Sequence, residues 1–190
     1  IASYIKVLKD SGFVTTAKIR LGFKNNNVVK IAKIIEKAGA DALTVHARLA
    51  HDSYKIPADW KWIAAVKKEV GIPVIGNGDI SSGKSAAEML EVADGAMIAR
   101  AAIGDPLIFK RVLYYLKTEK EKDFDFYANI EMFREYFNLS KKYEVIDLAR
   151  IKFVGTHFLR NVSGARKLRA EFMQKKSLEE IEIFVRTIKE

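Results

Sequence analysis

The stretch that decides the fold is Val74-Ile75-Gly76-Asn77-Gly78-Asp79-Ile80, in which a short apolar strand runs directly into two glycines, an amide and a carboxylate. A strand in a packed core does not need polar residues at its end. Parallel α/β proteins place their binding sites at the carboxyl ends of strands. The stretch therefore predicts a buried parallel strand that presents Asn77, Gly78 and Asp79 to a ligand, although Asn-Gly is also a common turn pair.

Strand and helix patterns alternate on both sides of this stretch. Strands are predicted at 13–20, 41–45, 72–75 and 95–99, and helices at 2–9, 28–38, 60–69 (capped by Asp59), 84–92 and from Asp105 onward. Because crossovers between parallel strands are right-handed, this alternation predicts a parallel sheet. The sheet is either open and doubly wound or part of a (β/α)8 barrel. The glycines at 76–78 do not fit the dinucleotide fingerprint GxGxxG, so a Rossmann site is rejected.

The alternation of strand and helix patterns ends after Leu116. A charged connector follows, and beyond it only helical patterns remain, at 130–143, 146–162, 165–175 and 178–189, the last with a capping box of Ser177 and Glu180. We therefore predict four βα units at 1–116, a connector at 117–128 and a small all-helical domain at 129–190.

Composition restricts the possible functions. The net charge is +9 and cysteine is absent. The charge is compatible with a polyanionic partner, above all nucleic acid, but on charge alone a lysine-rich solvated surface is the favoured explanation. Without cysteine the chain has no disulfide, no thiolate metal ligand and no cysteine-based catalysis. The sequence contains no signal peptide and no membrane span, and we predict a cytoplasmic protein without a metal site.

Polar residues follow the predicted strands at intervals of about one βα unit. They are Lys18 with Arg20, His46 with Arg48, Asn77 to Asp79, and Arg100. Each has a plain alternative: a surface cation, a core histidine, turn formers and a surface ion pair. Because the carboxyl ends of parallel strands share one edge of the sheet, their coincidence at four successive strand ends favours a common site.

The last two strand ends suit a phosphate group. Glycines at 76 and 78 expose backbone N–H groups, and Arg100 lies among small residues that let a ligand approach the backbone. Barrels often bind phosphate with their last two loops and the N-terminus of a short helix, which Asp105 and Pro106 would begin here.

Five segments together resemble the second half of the barrel of tRNA-dihydrouridine synthases. They are KIRLG (18–22), VHAR (45–48), ADW (58–60), PVIGNGDI (73–80) and GAMIARAAIGDPLIF (95–109). The helical tail, with HFLRNVSGARKLRAEF and SLEEI, resembles more loosely the RNA-binding helical domain of that family.

This resemblance implies a (β/α)8 barrel that binds FMN, takes electrons from NADPH and passes hydride to a uracil ring in tRNA, while a cysteine supplies the proton. It implies that Lys18 lies beside the flavin, that His46 contacts the flavin or the base, and that Arg48 faces the substrate. The ribityl chain and phosphate would be held by Asn77, Gly78, Asp79, Ala99 and Arg100, with Ala99 where the family usually has glycine.

The sequence departs from the family in having four βα units and no cysteine. We therefore expect a carboxyl-terminal portion of a longer enzyme, inactive alone and binding FMN weakly or not at all. The missing amino-terminal half of the barrel, or a second copy of this chain, would complete the fold.

The tail carries cations suited to tRNA, chiefly Arg160, Arg166 and Arg169, and we expect its aromatic residues to form the core of the helical domain. Two other functions stay open. One is an FMN-barrel oxidoreductase acting on a small molecule, against which the basic tail speaks. The other is a non-catalytic RNA-binding module.

Overall fold

A computed structural model describes residues 1–122, 126–160 and 164–188. Backbone contacts group the chain into two compact units, Ile1–Ala99 and Arg100–Glu190. The first unit is α/β and the second is helical, which confirms the coarse fold expected from the sequence. The boundaries predicted at 116 and 128 stay a prediction, and the contacts place the helix after Pro106 with the second unit.

The first unit is a parallel sheet with helical crossovers. Its elements are α1 (Ala2–Asp10), β1 (Thr16–Arg20), α2 (Val28–Lys37), β2 (Ala42–His46), α3 (Lys61–Glu69), β3 (Val74–Asn77), α4 (Gly83–Leu90) and β4 (Gly95–Met97). The strands are all parallel and lie in the order β1-β2-β3-β4. Because every crossover steps in the same direction and is right-handed, α2, α3 and α4 lie on one face of the sheet.

The helix-covered face forms the core of this unit. Leu43, Val45 and Val74 point to it and are fully buried. A side chain added at Gly76 would overlap the Sδ atom of Met89 on α4, so that helix packs directly on the β3 backbone. Continuous apolar burial of this kind is expected for parallel strands under helices.

Two local predictions for the first unit are wrong. β1 begins at Thr16 rather than Phe13, because Phe13 is exposed and Thr15 N donates to the side chain of Asp41, at 2.6 Å from Oδ2, instead of to a neighbouring strand. Asp59 does not cap α3 with its side chain. Its backbone carbonyl accepts from Trp62 N at 3.2 Å in a preceding turn, and the helix begins at Lys61.

The second unit begins with a 3-10 turn at Arg100–Ala102. Its helices are α5 (Ile108–Thr118), α6 (Phe126–Lys142), α7 (Leu148–Phe158), α8 (Ala165–Gln174) and α9 (Leu178–Thr187). α6 begins four residues earlier than predicted and α7 ends at Phe158. The predicted helix ends at 162 and 189 lie outside the described residues.

Side-chain caps define two of these helices. Asp147 accepts from Arg150 N at 2.9 Å at the start of α7. Ser177 Oγ accepts from Glu180 N at 3.2 Å at the start of α9, as the capping box requires. The reciprocal bond is shifted by one residue, since Glu180 Oε2 accepts from Lys176 N at 2.8 Å.

The core of the second unit is rich in aromatic rings. Phe133 and Phe172 are fully buried, with ring centroids 5.9 Å apart in an edge-to-face arrangement. At the edge of this core, Gly104 lies against the backbone of α7. A Cβ atom there would lie 2.4 Å from His157 Cβ and 2.5 Å from His157 C. Asn129 Nδ2 donates to the Gly104 carbonyl at 2.8 Å and holds the same segment.

Candidate functional site

The sheet face opposite the crossover helices carries the polar residues. Strand register pairs Lys18 with Thr44, Arg20 with His46, and His46 with Asn77. Because side chains alternate between the faces of a strand, these residues point to the same side, away from α2, α3 and α4. We call this side the open face, defined by Lys18, Arg20, Thr44, His46 and Asn77. The structure therefore brings together three of the four strand ends singled out in the sequence.

Lys18 is the exposed cation of the open face. Partial loss of water around its ammonium group, and secondarily the charge of Arg20, lower the pKa of Lys18 below the ordinary lysine value. The Arg20 guanidinium turns to the next loop, where Nη1 donates to Leu49 O at 2.9 Å. Lys18 therefore loses its proton more easily than a fully exposed lysine.

His46 and Asn77 form the buried centre of the face. His46 is 8% exposed and Asn77 is 4% exposed. Asn77 Nδ2 donates to the carbonyl of its register partner Met97 at 2.8 Å, which orients the amide and adds a side-chain bond between β3 and β4. Asn77 O accepts from Ala47 N at 3.1 Å, so β2 and β3 remain bound to each other at their ends.

Arg48 and Asp79 form an ion pair that the sequence did not reveal. Arg48 is 1% exposed, and its Nη2 donates to Asp79 Oδ1 at 2.7 Å and Oδ2 at 2.6 Å. Its Nε donates to Ile56 O at 2.7 Å, and the guanidinium lies 5.7 Å from the centre of the Tyr54 ring. Asp79 Oδ2 also accepts from Ala58 N at 2.8 Å. The pair thus fixes the long loop between β2 and α3.

The turn after β3 is closely packed. φ is +126° at Gly78 and +57° at Asp79. A Cβ atom at Gly78 would lie 2.7 Å from Ala58 Cβ and 3.3 Å from His46 Cδ2, so only glycine fits. Trp60 Nε1 donates to Gly78 O at 2.9 Å. The segment ADW (58–60) lies in this loop. The role of Trp60 could not be read from it, because its indole binds Gly78, which is 18 residues away in sequence.

Ala99 and Arg100 lie at the boundary of the two units. Both are exposed, and Arg100 begins the 3-10 turn of the second unit. The prediction that Asp105 and Pro106 begin a helix is wrong, because α5 starts at Ile108. The Asp105 carboxylate instead pairs with Arg111. The convergence of Arg100 with the other strand ends, and its role in phosphate binding, stay predictions.

In the second unit, the predicted RNA-contacting arginines line an open groove between α7 and α8, together with Thr156, Ala165, Ala170 and Met173. Arg160 and Arg166 are exposed. Arg169 is half-buried, and its Nη1 donates to Leu159 O at 3.0 Å at the end of α7. Two of the three arginines therefore project into solvent, and the third also stabilises the groove.

The expectation that the tail aromatics form the core is right for Phe158 and Phe172, which are buried, and wrong for two others. Tyr143 is 65% exposed and Phe153 is 57% exposed. Phe153 packs on the imidazole of His157 at a centroid distance of 4.8 Å. Helical periodicity alone did not separate these surface rings from the buried ones.

Among residues 1–122, 126–160 and 164–188, no helix has the length and apolar character needed to cross a membrane. The same residues contain no group of three or more histidine, aspartate or glutamate side chains arranged to hold a metal ion.

Comparison with known proteins gives consistent matches. A family model described as dihydrouridine synthase (Dus) matches residues 2–190. A probable tRNA-dihydrouridine synthase of Aquifex aeolicus is 31% identical over 182 residues, which cover 93% of this chain and 56% of the relative. A probable tRNA-dihydrouridine synthase of Rickettsia conorii is 43% identical over 56% of this chain and 34% of its own. The tRNA-dihydrouridine synthase B of Pseudomonas putida is 46% identical over a region that covers 54% of this chain and 32% of the relative. The chain thus spans about half the length of the first relative and about a third of the others.

Proposed function

Because the chain belongs to the dihydrouridine synthase family, we propose that it takes part in reducing uridine to dihydrouridine in tRNA, with FMN as cofactor and NADPH as reductant. The observation that carries this proposal is the open face, where Lys18, His46 and Asn77 lie on the same side of three adjacent parallel strands, His46 and Asn77 at the carboxyl ends of β2 and β3. A protein that acts on tRNA is expected in the cytoplasm.

The proposal includes the sheet as one half of a (β/α)8 barrel. A doubly wound sheet has helices on both faces, whereas a barrel has all its helices outside and its other face inside. The sequential strand order, with α2, α3 and α4 on one face, supports the barrel. The other half would come from an amino-terminal half-barrel or from a second copy of this chain.

The residues present fit a flavin. Bound FMN would supply hydride for the uracil ring once NADPH has reduced it. Lys18 would offer its ammonium group to negative charge on the reduced ring, and His46 would hydrogen-bond the ring or the base. Asn77, Gly78 and Asp79 would hold the ribityl chain, and Ala99 and Arg100 the phosphate. Because Ala58 and His46 already fill the space beside Gly78, that residue would contribute through its backbone.

In this proposal the side chains of Asp79 and Arg48 bind each other, whereas the sequence suggested that each contacts a ligand. Because the Asp79 carboxylate binds Arg48, Asp79 would contribute to the cofactor site through the shape of its turn. Arg48 as a contact to substrate stays a prediction. Its guanidinium is buried and bound to the loop between β2 and α3, so a contact with tRNA would require that loop to move.

The groove between α7 and α8 would bind the tRNA backbone. Arg160 and Arg166 project into solvent there, and Arg169 lines the same groove. Arginine recognises phosphate through charge-assisted, often bidentate hydrogen bonds. The net charge of +9 supports the same partner.

A chimera tests the proposal. This chain replaces the matching 182-residue region of the Aquifex aeolicus relative, in a bacterial strain without its own dihydrouridine synthases, and dihydrouridine in total tRNA is measured by mass spectrometry. We expect the chimera to restore dihydrouridine and its Lys18→Ala variant to lose most of it while binding tRNA equally well. The matched control is Lys6→Ala, an exposed lysine on α1, which should leave activity unchanged.

The possible results separate the three functions. A folded yellow chimera that binds tRNA but forms no dihydrouridine would contradict the proposal. A colourless chimera that still binds tRNA would favour RNA binding alone. A yellow chimera that neither binds nor modifies tRNA would favour a small-molecule oxidoreductase.

A further inference from the structure

The loop network around Arg48 reaches the imidazole of His46. Arg48 Nη1 lies 3.5 Å from His46 Nε2, while Nη2 of the same guanidinium is held by Asp79. A guanidinium can only donate hydrogen bonds, so a nitrogen that accepts from it must be unprotonated. A neutral imidazole with an unprotonated Nε2 carries its proton on Nδ1. The contact therefore selects one of the two neutral tautomers.

The surroundings reinforce this selection. The Gly78 turn packs against the Cδ2 edge of the ring, as the 3.3 Å approach of a Cβ placed there shows. A half-turn of the ring about the Cβ–Cγ bond would exchange Nε2 with Cε1 and leave Arg48 Nη1 without an acceptor. The burial of both Arg48 and His46 reduces competition from water.

The charges around the ring favour its neutral form. Arg48 carries a fixed positive charge, which Asp79 balances in part from the far side of the guanidinium. Arg20 is the register partner of His46 on β1, and Lys18 lies two residues before it on the same face. Arg48, Arg20 and Lys18 are positive, and Asp79 is the carboxylate that binds Arg48. A positive charge close to an imidazole disfavours its protonation.

We propose that Arg48, anchored by Asp79, is a positioning residue that holds His46 as a neutral imidazole with its proton on Nδ1. In the proposed reductase, this fixes which nitrogen offers a hydrogen bond on the open face, and that consequence rests on the proposed function. The tautomer itself is a property of the chain and is measured without FMN or tRNA. A failure of the tautomer assignment is therefore distinguishable from a failure of the reductase assignment.

Nitrogen NMR of the full 190-residue chain tests this proposal, because the chain contains only three histidines. His51 and His157 serve as internal references, since the Nδ1 atom of each lies 2.7 Å and 2.8 Å, respectively, from a backbone carbonyl. Variants His51→Gln and His157→Gln assign the signals. We expect His46 to show a protonated Nδ1 and an unprotonated Nε2 at neutral pH. A His46 ring protonated on Nε2 would overturn the proposal.

Two variants separate positioning from simple structural support. Arg48→Met removes the donor and leaves the Asp79 carboxylate, so the His46 titration should move to higher pH and the tautomer should no longer be fixed. Asp79→Asn keeps the shape and tolerates the positive φ, but leaves the Arg48 charge unbalanced, so the titration should move to lower pH. His51 and His157 should not change.

Movement in opposite directions is the decisive result. A pair that only supports the loop would, when broken, expose His46 and move its titration the same way in both variants, and that result would overturn the proposal. If Arg48→Met does not fold, Asp79→Asn alone decides. Because that change is isosteric, an unchanged or raised His46 titration would then refute the role of Arg48.

Discussion

Replacing Gly104 with alanine should destabilise the second unit more than the same change at Gly164. The two glycines have almost the same backbone conformation, with φ of +72° and +73°. They differ in their surroundings. A Cβ atom at Gly104 would lie 2.5 Å from His157 C and 2.6 Å from Phe158 N, whereas one at Gly164 would meet no atom of the described residues within 4 Å.

The expected free-energy changes follow from this difference. A left-handed conformation costs a residue with a side chain about 1–2 kcal/mol, and this cost applies at both positions. Forcing an extra carbon into close packing adds about 1–3 kcal/mol, and this cost applies only at Gly104. The α7 backbone cannot swing aside as the end of a flexible side chain can. We therefore expect Gly104→Ala to lose about 2–5 kcal/mol and Gly164→Ala about 1–2 kcal/mol.

Denaturant unfolding followed by two signals measures these losses. Far-ultraviolet circular dichroism follows the helices of both units, while the two tryptophans, Trp60 and Trp62, belong to the first unit. The variants should shift the circular dichroism transition and leave the tryptophan fluorescence transition unchanged. Equal losses for Gly104→Ala and Gly164→Ala would show that the close approach to α7 contributes nothing and would refute the reasoning.

Two further predictions concern charge. Hydrogen bonds from Lys9 and then Thr15 hold the pKa of Asp41 below the ordinary aspartate value of 3.8, so Asp41 stabilises the fold above that pH and this contribution is lost as the pH falls through the lowered pKa. Asp41→Asn should therefore flatten the fall in stability below pH 3.8 in acid unfolding followed by tryptophan fluorescence, and an unchanged slope would count against the Lys9 pair. Arg166→Glu should weaken tRNA binding about tenfold at low salt, as expected for one lost charge-assisted contact. The charge-matched control Lys6→Glu should change affinity much less, and equal effects would indicate non-specific attraction.

The parts of the fold that follow from local sequence were predictable. The apolar runs of β2 and β3 and the glycines that end α2 and α3 identify the βα units, because burial under helices requires continuous apolar strands. The start of β1 was not predictable, since Phe13 and Val14 have strand character but lie exposed. Propensity cannot register the hydrogen bond that Thr15 N donates to the side chain of Asp41, a residue 26 positions away.

The candidate site divides in the same way. Lys18, His46 and Asn77 could be found because strand ends share an edge, which is a rule of topology. The ion pair of Arg48 and Asp79 could not be found, because it joins two loops 31 residues apart whose conformations no periodic pattern describes. The sequence predicts that Arg48 faces the substrate and Asp79 the cofactor, whereas in the structure the two side chains bind each other.

The strand order has a consequence for how the first unit is made. Each strand pairs with the strand that precedes it in the chain, so every new βα unit can join the sheet as it emerges during synthesis without waiting for distant partners. Paired strands are therefore separated in sequence by a single crossover, the smallest separation available to parallel strands. The sheet can therefore form in the order β1 to β4, because each strand, once paired, offers its free edge to the next strand in the chain.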